Sequence, residues 1–348
     1  MNEPPVSRPP TRRSRMMAYT ALLLASVSGV GITKAADPDE ETTTSFQVQP
    51  GGKLRFDADV GNVNIITRDT STVGITLKRR VKAKDPAEVD RLLEKLSIGR
   101  VQNGNEIRVT VRVEDDKARR NRNRIELDFD ITMPREFNVA LETGGSVSMG
   151  EIRGQVDAAT SGGSLKLGDV SGAVTASSSG GSLQVGDVGA PLNARSSGGS
   201  IKAGRIAGSV VAHASGGSVL IAEARDSIDA SAAGGSVAAY ISNQPKSSCR
   251  LTASGGSVDL RLPATAAVTF DASSSPGGVM IDYEIAPRQA AGGGTSKGAI
   301  NGGGPSVTLR ASGGSIRLRK DPKSNSAAAD QTKKAKRIAK ADFNARNL

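Results

Sequence analysis

The chain has 348 residues, with 46 Lys and Arg against 35 Asp and Glu and a formal net charge of +11. Aromatics make up 3%, tryptophan is absent, and one histidine and one cysteine stand beside 41 glycines. This excludes a zinc site built from clustered His and Cys and an internal disulfide; the positive balance favours anionic partners or surfaces.

In chain order, Arg12, Arg13 and Arg15 precede an apolar run, "MMAYTALLLASVSGVGI", and then "TKAADPDE". Basic, apolar and small residues in that order read as a signal peptide over 1–36, cut after Ala35 or Ala36. The run is short for a membrane span, so an uncleaved anchor is the alternative. Residues 37–44 are then a linker. No cysteine lies at the cleavage site, which argues against a lipoprotein.

Residues 45–142 alternate apolar and polar, the period of half-buried strands. Leu54, Phe56, Val60, Val63 and Ile65 share one face. Ile107, Val109, Val111 and Val113 form another set, and Ile125, Leu127, Phe129 and Ile131 a third. Between them Asp85, Pro86 and Glu88 read as a helix start with a capping box. Val89, Leu92, Leu93 and Leu96 are its apolar face and Gly99 its stop, which predicts a short capping helix near 86–97. An open terminal coil would expose strand edges, so such a cap is needed.

From Gly144 the pattern becomes periodic. Gly-Gly pairs begin at Gly144, Gly162, Gly180, Gly198, Gly216 and Gly234, each 18 residues after the last, then at Gly255, Gly277 and Gly313. A fixed period near 20 means stacked supersecondary units. At that period Val147, Leu165, Leu183, Ile201, Val219 and Val237 form one column. Met149, Leu167, Val185, Ala203, Ile221 and Ala239 form a second, and Ile152, Val170, Val188 and Ile206 a third. Val156, Val174, Leu192, Val210 and Ile228 make a fourth, and Ala158, Ala176, Ala194, Ala212 and Ala230 an all-alanine fifth. Within a coil these positions fall mostly two apart, so they are short strands with alternate residues inward. The fold class is all-β: a single-chain parallel β-solenoid (β-helix) with 18-residue coils. The glycines are expected to supply turn conformations that other residues reach only at a cost, and the corner serines to bond turn backbone. Residues 292–305 read as a loop replacing part of a coil, and 306–320 as two closing strands. The solenoid thus runs over 45–320, wider coils to 142 and Gly-Gly-Ser coils from 143.

Past Lys320 the pattern stops, and 321–348 read as a basic disordered tail. Lys333, Lys334, Lys336 and Arg337 in that tail, with Arg119, Arg120, Arg122 and Arg124 in "DDKARRNRNRIE", are the candidate contacts for anionic surfaces. The blander reading is a solvated hairpin loop and a solubilising tail. A Ser-His-Asp site would need His213, which alternation turns outward between Ala212 and Ala214. Asp169 and Asp187 share a column and read as turn residues, and Cys249 as a small buried apolar residue. No catalytic, cofactor or metal residues are expected. Solenoid polysaccharide lyases would need clustered acids and bases with aromatic platforms, which are missing from this sequence.

The segments "FQVQPGGKLRFDADVGNVNI", "ITMPREFNVALETGGSVSMGEIRGQVDAATSGGSLKLGDVSG" and "INGGGPSVTLRASGGSIRLRK" together resemble the bacterial putative-adhesin domain family over roughly residues 45–320. The resemblance implies a β-solenoid outside the cytoplasm and brings no catalytic residues with it. The expectation is a non-enzymatic rod for attachment or display at the cell envelope, located in the periplasm, at the cell surface or outside the cell. The alternative is a periplasmic envelope scaffold or stress-response component acting by self-association or by binding a membrane partner. Expected partners are anionic envelope polymers, surface glycans or a second copy of the chain, with peripheral membrane contact; nucleic acid is not expected, since aromatics for base stacking are not interleaved with the charges.

The column assignment has a direct test. Ala194→Phe should overpack the narrow column and destabilise the protein by about 1–3 kcal/mol. Unchanged thermal unfolding would show that Ala194 does not face inward.

Overall fold

The computed structural model describes residues 39–82, 86–114, 125–286 and 294–321. The N-terminal part supplies β1 (Asp39–Gln47), β2 (Gly52–Ala58), β3 (Asn62–Arg68), β4 (Thr72–Val81), α1 (Pro86–Leu93), β5 (Leu96–Asn103), β6 (Glu106–Val113), β7 (Ile125–Pro134), β8 (Phe137–Thr143) and β9 (Val147–Met149). The regular coils follow as β10 (Val156–Thr160), β11 (Leu165–Leu167), β12 (Val174–Ser178), β13 (Leu183–Val185), β14 (Leu192–Ser196), β15 (Ile201–Ile206), β16 (Val210–Ala214), β17 (Val219–Ala224), β18 (Ile228–Ala232) and β19 (Val237–Ile241). The chain closes with β20 (Cys249–Ala253), β21 (Val258–Leu262), β22 (Val268–Ser274), β23 (Val279–Ile281), β24 (Thr295–Ile300), β25 (Ser306–Ala311) and β26 (Ile316–Lys320).

Two 13-stranded sheets face each other across one core. Sheet I runs β1-β4-β7-β3-β9-β11-β13-β15-β17-β19-β21-β26-β23, and sheet II runs β24-β22-β25-β20-β18-β16-β14-β12-β10-β8-β2-β6-β5. At about 4.8 Å per strand each sheet is roughly 55–60 Å across. Successive coils pair in parallel and in register, so like stacks on like: Ala158 pairs Ala176, Ala176 pairs Ala194, and Ala194 pairs Ala212. All five apolar columns are buried, as is Cys249. The three-residue strands β9, β11 and β13 of sheet I keep the buried-exposed-buried alternation that the period of two demands.

The Gly-Gly corners have a different cause from the one expected. Among the described residues only Gly277 of those pairs has a left-handed φ. What excludes a side chain is the neighbouring coil. A Cβ on Gly198 would lie 2.3 Å from the Gly180 carbonyl oxygen, and one on Gly180 would lie 2.5 Å from that of Gly162. Hydroxyls then stitch the corners together. Inward Ser178 and Ser196 donate to Gly163 O and Gly181 O at 3.0 Å, and accept from Gly181 and Gly199 N–H of their own coil. Outside, Ser164, Ser182, Ser200, Ser218 and Ser236 each accept the N–H of the serine one coil on, at 3.0–3.3 Å. The serines therefore bond between coils as well as within a turn.

The flanks depart from simple stacking. β1, β4 and β7 pair antiparallel, as do β5 with β6 and β22 with β24. The span 294–300, expected as loop, contains edge strand β24. Helix α1 is shorter than 86–97: it ends at Leu93, and Leu96 and Gly99 belong to β5. Its Leu92 is half-buried against the core; Asp85 lies outside the described residues.

Both the first and the last full coil are interleaved. β2 and β3 sit between β6–β7 and β8–β9, while β25 and β26 sit between β20–β21 and β22–β23. The last coil is pinned by both tyrosines of the solenoid. Tyr283 O–H, buried, donates to Leu262 O at 2.7 Å, and Tyr240 O–H donates to Asp321 Oδ2 at 2.6 Å. Burial, then the Asp321 carboxylate, pushes the Tyr240 phenol up to about 12.

Two outcomes follow. Gly198→Ala should lower stability by about 1–3 kcal/mol, whereas Gly278→Ala, where a Cβ would meet nothing within 4 Å, should be tolerated; paired thermal denaturation compares them. Because the fold keeps Tyr240 protonated, its contribution holds below the ordinary value of 10.0 and is lost as pH rises through about 12. Ultraviolet titration should show that late ionisation, and Asp321→Asn should bring it down toward 10.0.

Candidate functional site

Every residue singled out for anionic contact lies outside the described residues: Arg119, Arg120, Arg122 and Arg124, and Lys333, Lys334, Lys336 and Arg337. Their points of attachment are defined. Residues 115–124 connect β6 of sheet II to β7 of sheet I, and the expected hairpin loop on them lies outside the described residues. The tail leaves after Asp321, whose N–H is held by Leu262 O at 2.9 Å. The expected signal segment over 1–36, with its expected cleavage site, also lies outside the described residues. Within the described residues 27 Lys and Arg face 28 Asp and Glu, a net of −1, so the surplus behind the chain's +11 lies in the other segments.

Three long surfaces remain on the solenoid. The outer face of sheet I carries one ladder running Ser148, Lys166, Gln184, Lys202, Leu220, Ala238, Asp259, Arg317 and Met280. Beside it Tyr240, Arg261 and Arg319 are neighbours. Asp259 is held by Arg319 at 3.0 Å.

Sheet II presents Asp157, Thr175, Asn193, Val211, Asp229 and Arg250 in one ladder, and Ala159, Ser177, Arg195, His213, Ser231 and Thr252 in the next. His213, half-buried between inward Ala212 and Ala214, has Nδ1 2.7 Å from Ser231 Oγ. A nucleophile needs a base that a third group orients. Among the described residues the other ring nitrogen has no carboxylate partner, and the pair joins neighbouring strands β16 and β18 as a bond between coils.

The third surface is a shallow groove of about 520 Å³ on the side that carries the isolated bridges Ile152–Val170–Val188–Ile206. Its rims carry Glu151, Arg153, Asp169, Asp187, Arg205 and Arg225. Asp169 Oδ1 accepts the Asp187 N–H at 2.9 Å, and Asp187 in turn accepts the Arg205 N–H and guanidinium at 2.8 Å. Those bonds from Arg205 hold the Asp187 carboxyl below its usual range. The two aspartates are thus clamps between coils. Their role was legible only as turn residues, because a bond across one 18-residue period has no local signature. Among the described residues no group of three or more His, Cys, Asp or Glu is placed to hold a metal ion, and no helix is long and apolar enough to cross a membrane.

No curated protein matches the chain. Among solved structures, a putative adhesin from Bacteroides fragilis NCTC 9343 shares 15% identity over 83% of this chain and 100% of its own, with a TM-score of 0.32. A putative adhesin from Parabacteroides merdae ATCC 43184 shares 9% over 81% of this chain and 97% of its own, with a TM-score of 0.35. For a putative cell adhesion protein from Clostridium sporogenes ATCC 15579 the values are 14%, 81%, 100% and 0.20. The family model described as Toastrack DUF4097 matches residues 51–319, nearly the whole solenoid, and the chain belongs to that family.

Proposed function

We propose that this chain is an exported, non-catalytic rod that attaches to, or displays itself on, the bacterial cell envelope. The observation that carries the reading is the register of the outer ladders. Each coil offers its outward side chains about 4.8 Å from the next, so contacts too weak to hold singly act together along one rigid body. The signal-like segment 1–36 supports export, and the basic groups at 119–124 and 333–337 add a salt-sensitive attraction to anionic polymers. A periplasmic scaffold acting by self-association is the second reading. It is favoured by the four strands at the ends of the sheets, β1, β5, β23 and β24, each with one free edge among the described residues.

Protease treatment of intact cells, followed by a blot for residues 144–320, separates the two. Digestion on intact cells, with surface attachment that weakens as salt is raised, is the expected result. Protection until the outer layer is opened would favour the scaffold.

A further inference from the structure

The two sheet faces are not equivalent. Four large apolar side chains are exposed among the described residues: Ile66, Val101, Leu220 and Met280. Three of them stand on sheet I: Ile66 on β3, Leu220 on β17 and Met280 on β23. Five strand spacings separate the first two and four the last two, so they spread over about 43 Å of one face.

The charges on that face match. Lys166, Lys202, Arg261 and Arg317 point outward and form no ion pair among the described residues, while Asp259 is neutralised by Arg319. On sheet II, by contrast, outward Glu142, Asp157 and Asp229, without an ion pair among the described residues, balance the likewise unpaired Lys53, Arg195 and Arg250. Unpaired cations beside spaced apolar side chains are what an anionic lipid headgroup layer receives: the cations stay at the phosphates and the apolar groups enter below them. An anionic polysaccharide would take the cations and leave Leu220 and Met280 in water. The tail also departs from the end of β26, within this same sheet.

From this we infer that the outer face of sheet I, between β3 and β23, docks on an anionic lipid bilayer. Lys166, Lys202, Arg261 and Arg317 are the headgroup contacts, and Ile66, Leu220 and Met280 the shallow anchors. This rests on the attachment reading and names its surface and its partner.

The test is co-sedimentation of the full-length mature chain with vesicles of phosphatidylcholine alone or mixed with phosphatidylglycerol. Three proteins are compared: wild type, the triple variant Lys166→Glu/Lys202→Glu/Arg317→Glu, and the control Arg195→Glu/Arg250→Glu/Lys246→Glu, which changes net charge equally away from sheet I. Circular dichroism confirms that all three are folded. Expected is binding only to the mixed vesicles, lowered more than about tenfold in the sheet I variant and nearly unchanged in the control. Leu220→Ser/Met280→Ser, which alters no charge, should also weaken it. Equal losses in the sheet I variant and the control would overturn the face assignment. Absence of vesicle binding, or binding only to an anionic polysaccharide, would overturn the lipid partner. If cells carrying the sheet I variant still attach normally, this inference fails while the attachment reading stands.

Discussion

Everything in this molecule depends on how closely one coil can lie on the next. Parallel strands at about 4.8 Å leave no room at the corners for a side chain directed along the stack. The repeat answers with glycine at Gly180, Gly198 and their equivalents, where each carbonyl of the coil beneath occupies the space a Cβ would need. Once the corners close, the register of the coils is fixed. Register in turn brings alanine onto alanine in the narrow column and a serine hydroxyl under the next coil's N–H. Between residues 144 and 262 the core then does without buried aromatic anchors, because small side chains repeated in line still pack with few voids; the large buried rings, Phe56, Phe129, Phe137 and Phe270, lie toward the two ends.

The sequence made the inside of the solenoid legible and its ends obscure. A period of two within coils and of 18 between them identifies Val147, Met149, Ile152, Val156 and Ala158 as inward without reference to any neighbour. The ends obey another rule. There pairing is chosen by which strand fits a free edge, and the inward pattern of 306–320 suits a place between two earlier coils as well as a place after them. Nothing local distinguishes these, so the interleaving of β25 and β26 could not be read. The same holds for the antiparallel edges and for β24, whose Gly-rich surroundings suggest a loop. Leu96 satisfied the helical spacing of its neighbours, yet the ladder with β6 took it into a strand.

Function was legible to a smaller degree. Net charge pointed to anionic partners, but the surplus resides in segments attached to the solenoid, and the described residues are nearly balanced. The polarity that distinguishes the two sheets appears only when residues 18 or more apart are set side by side. Lys166, Lys202 and Arg317 are scattered in the sequence, and their ladder exists only through the stacking.

The interleaving of the terminal coils also governs how the protein carries mechanical load. In a solenoid stacked in chain order, tension on a terminus peels the outermost coil, one ladder at a time. Here β26 is the last described strand and is bonded on both sides, to β21 and β23. Tension arriving from the tail must break two ladders together before any residue is released. At the other end β1 alone can peel; β2 and β3 behind it are flanked on both sides. Such a body is a clamp in series with whatever holds its ends, suited to remaining folded while pulled.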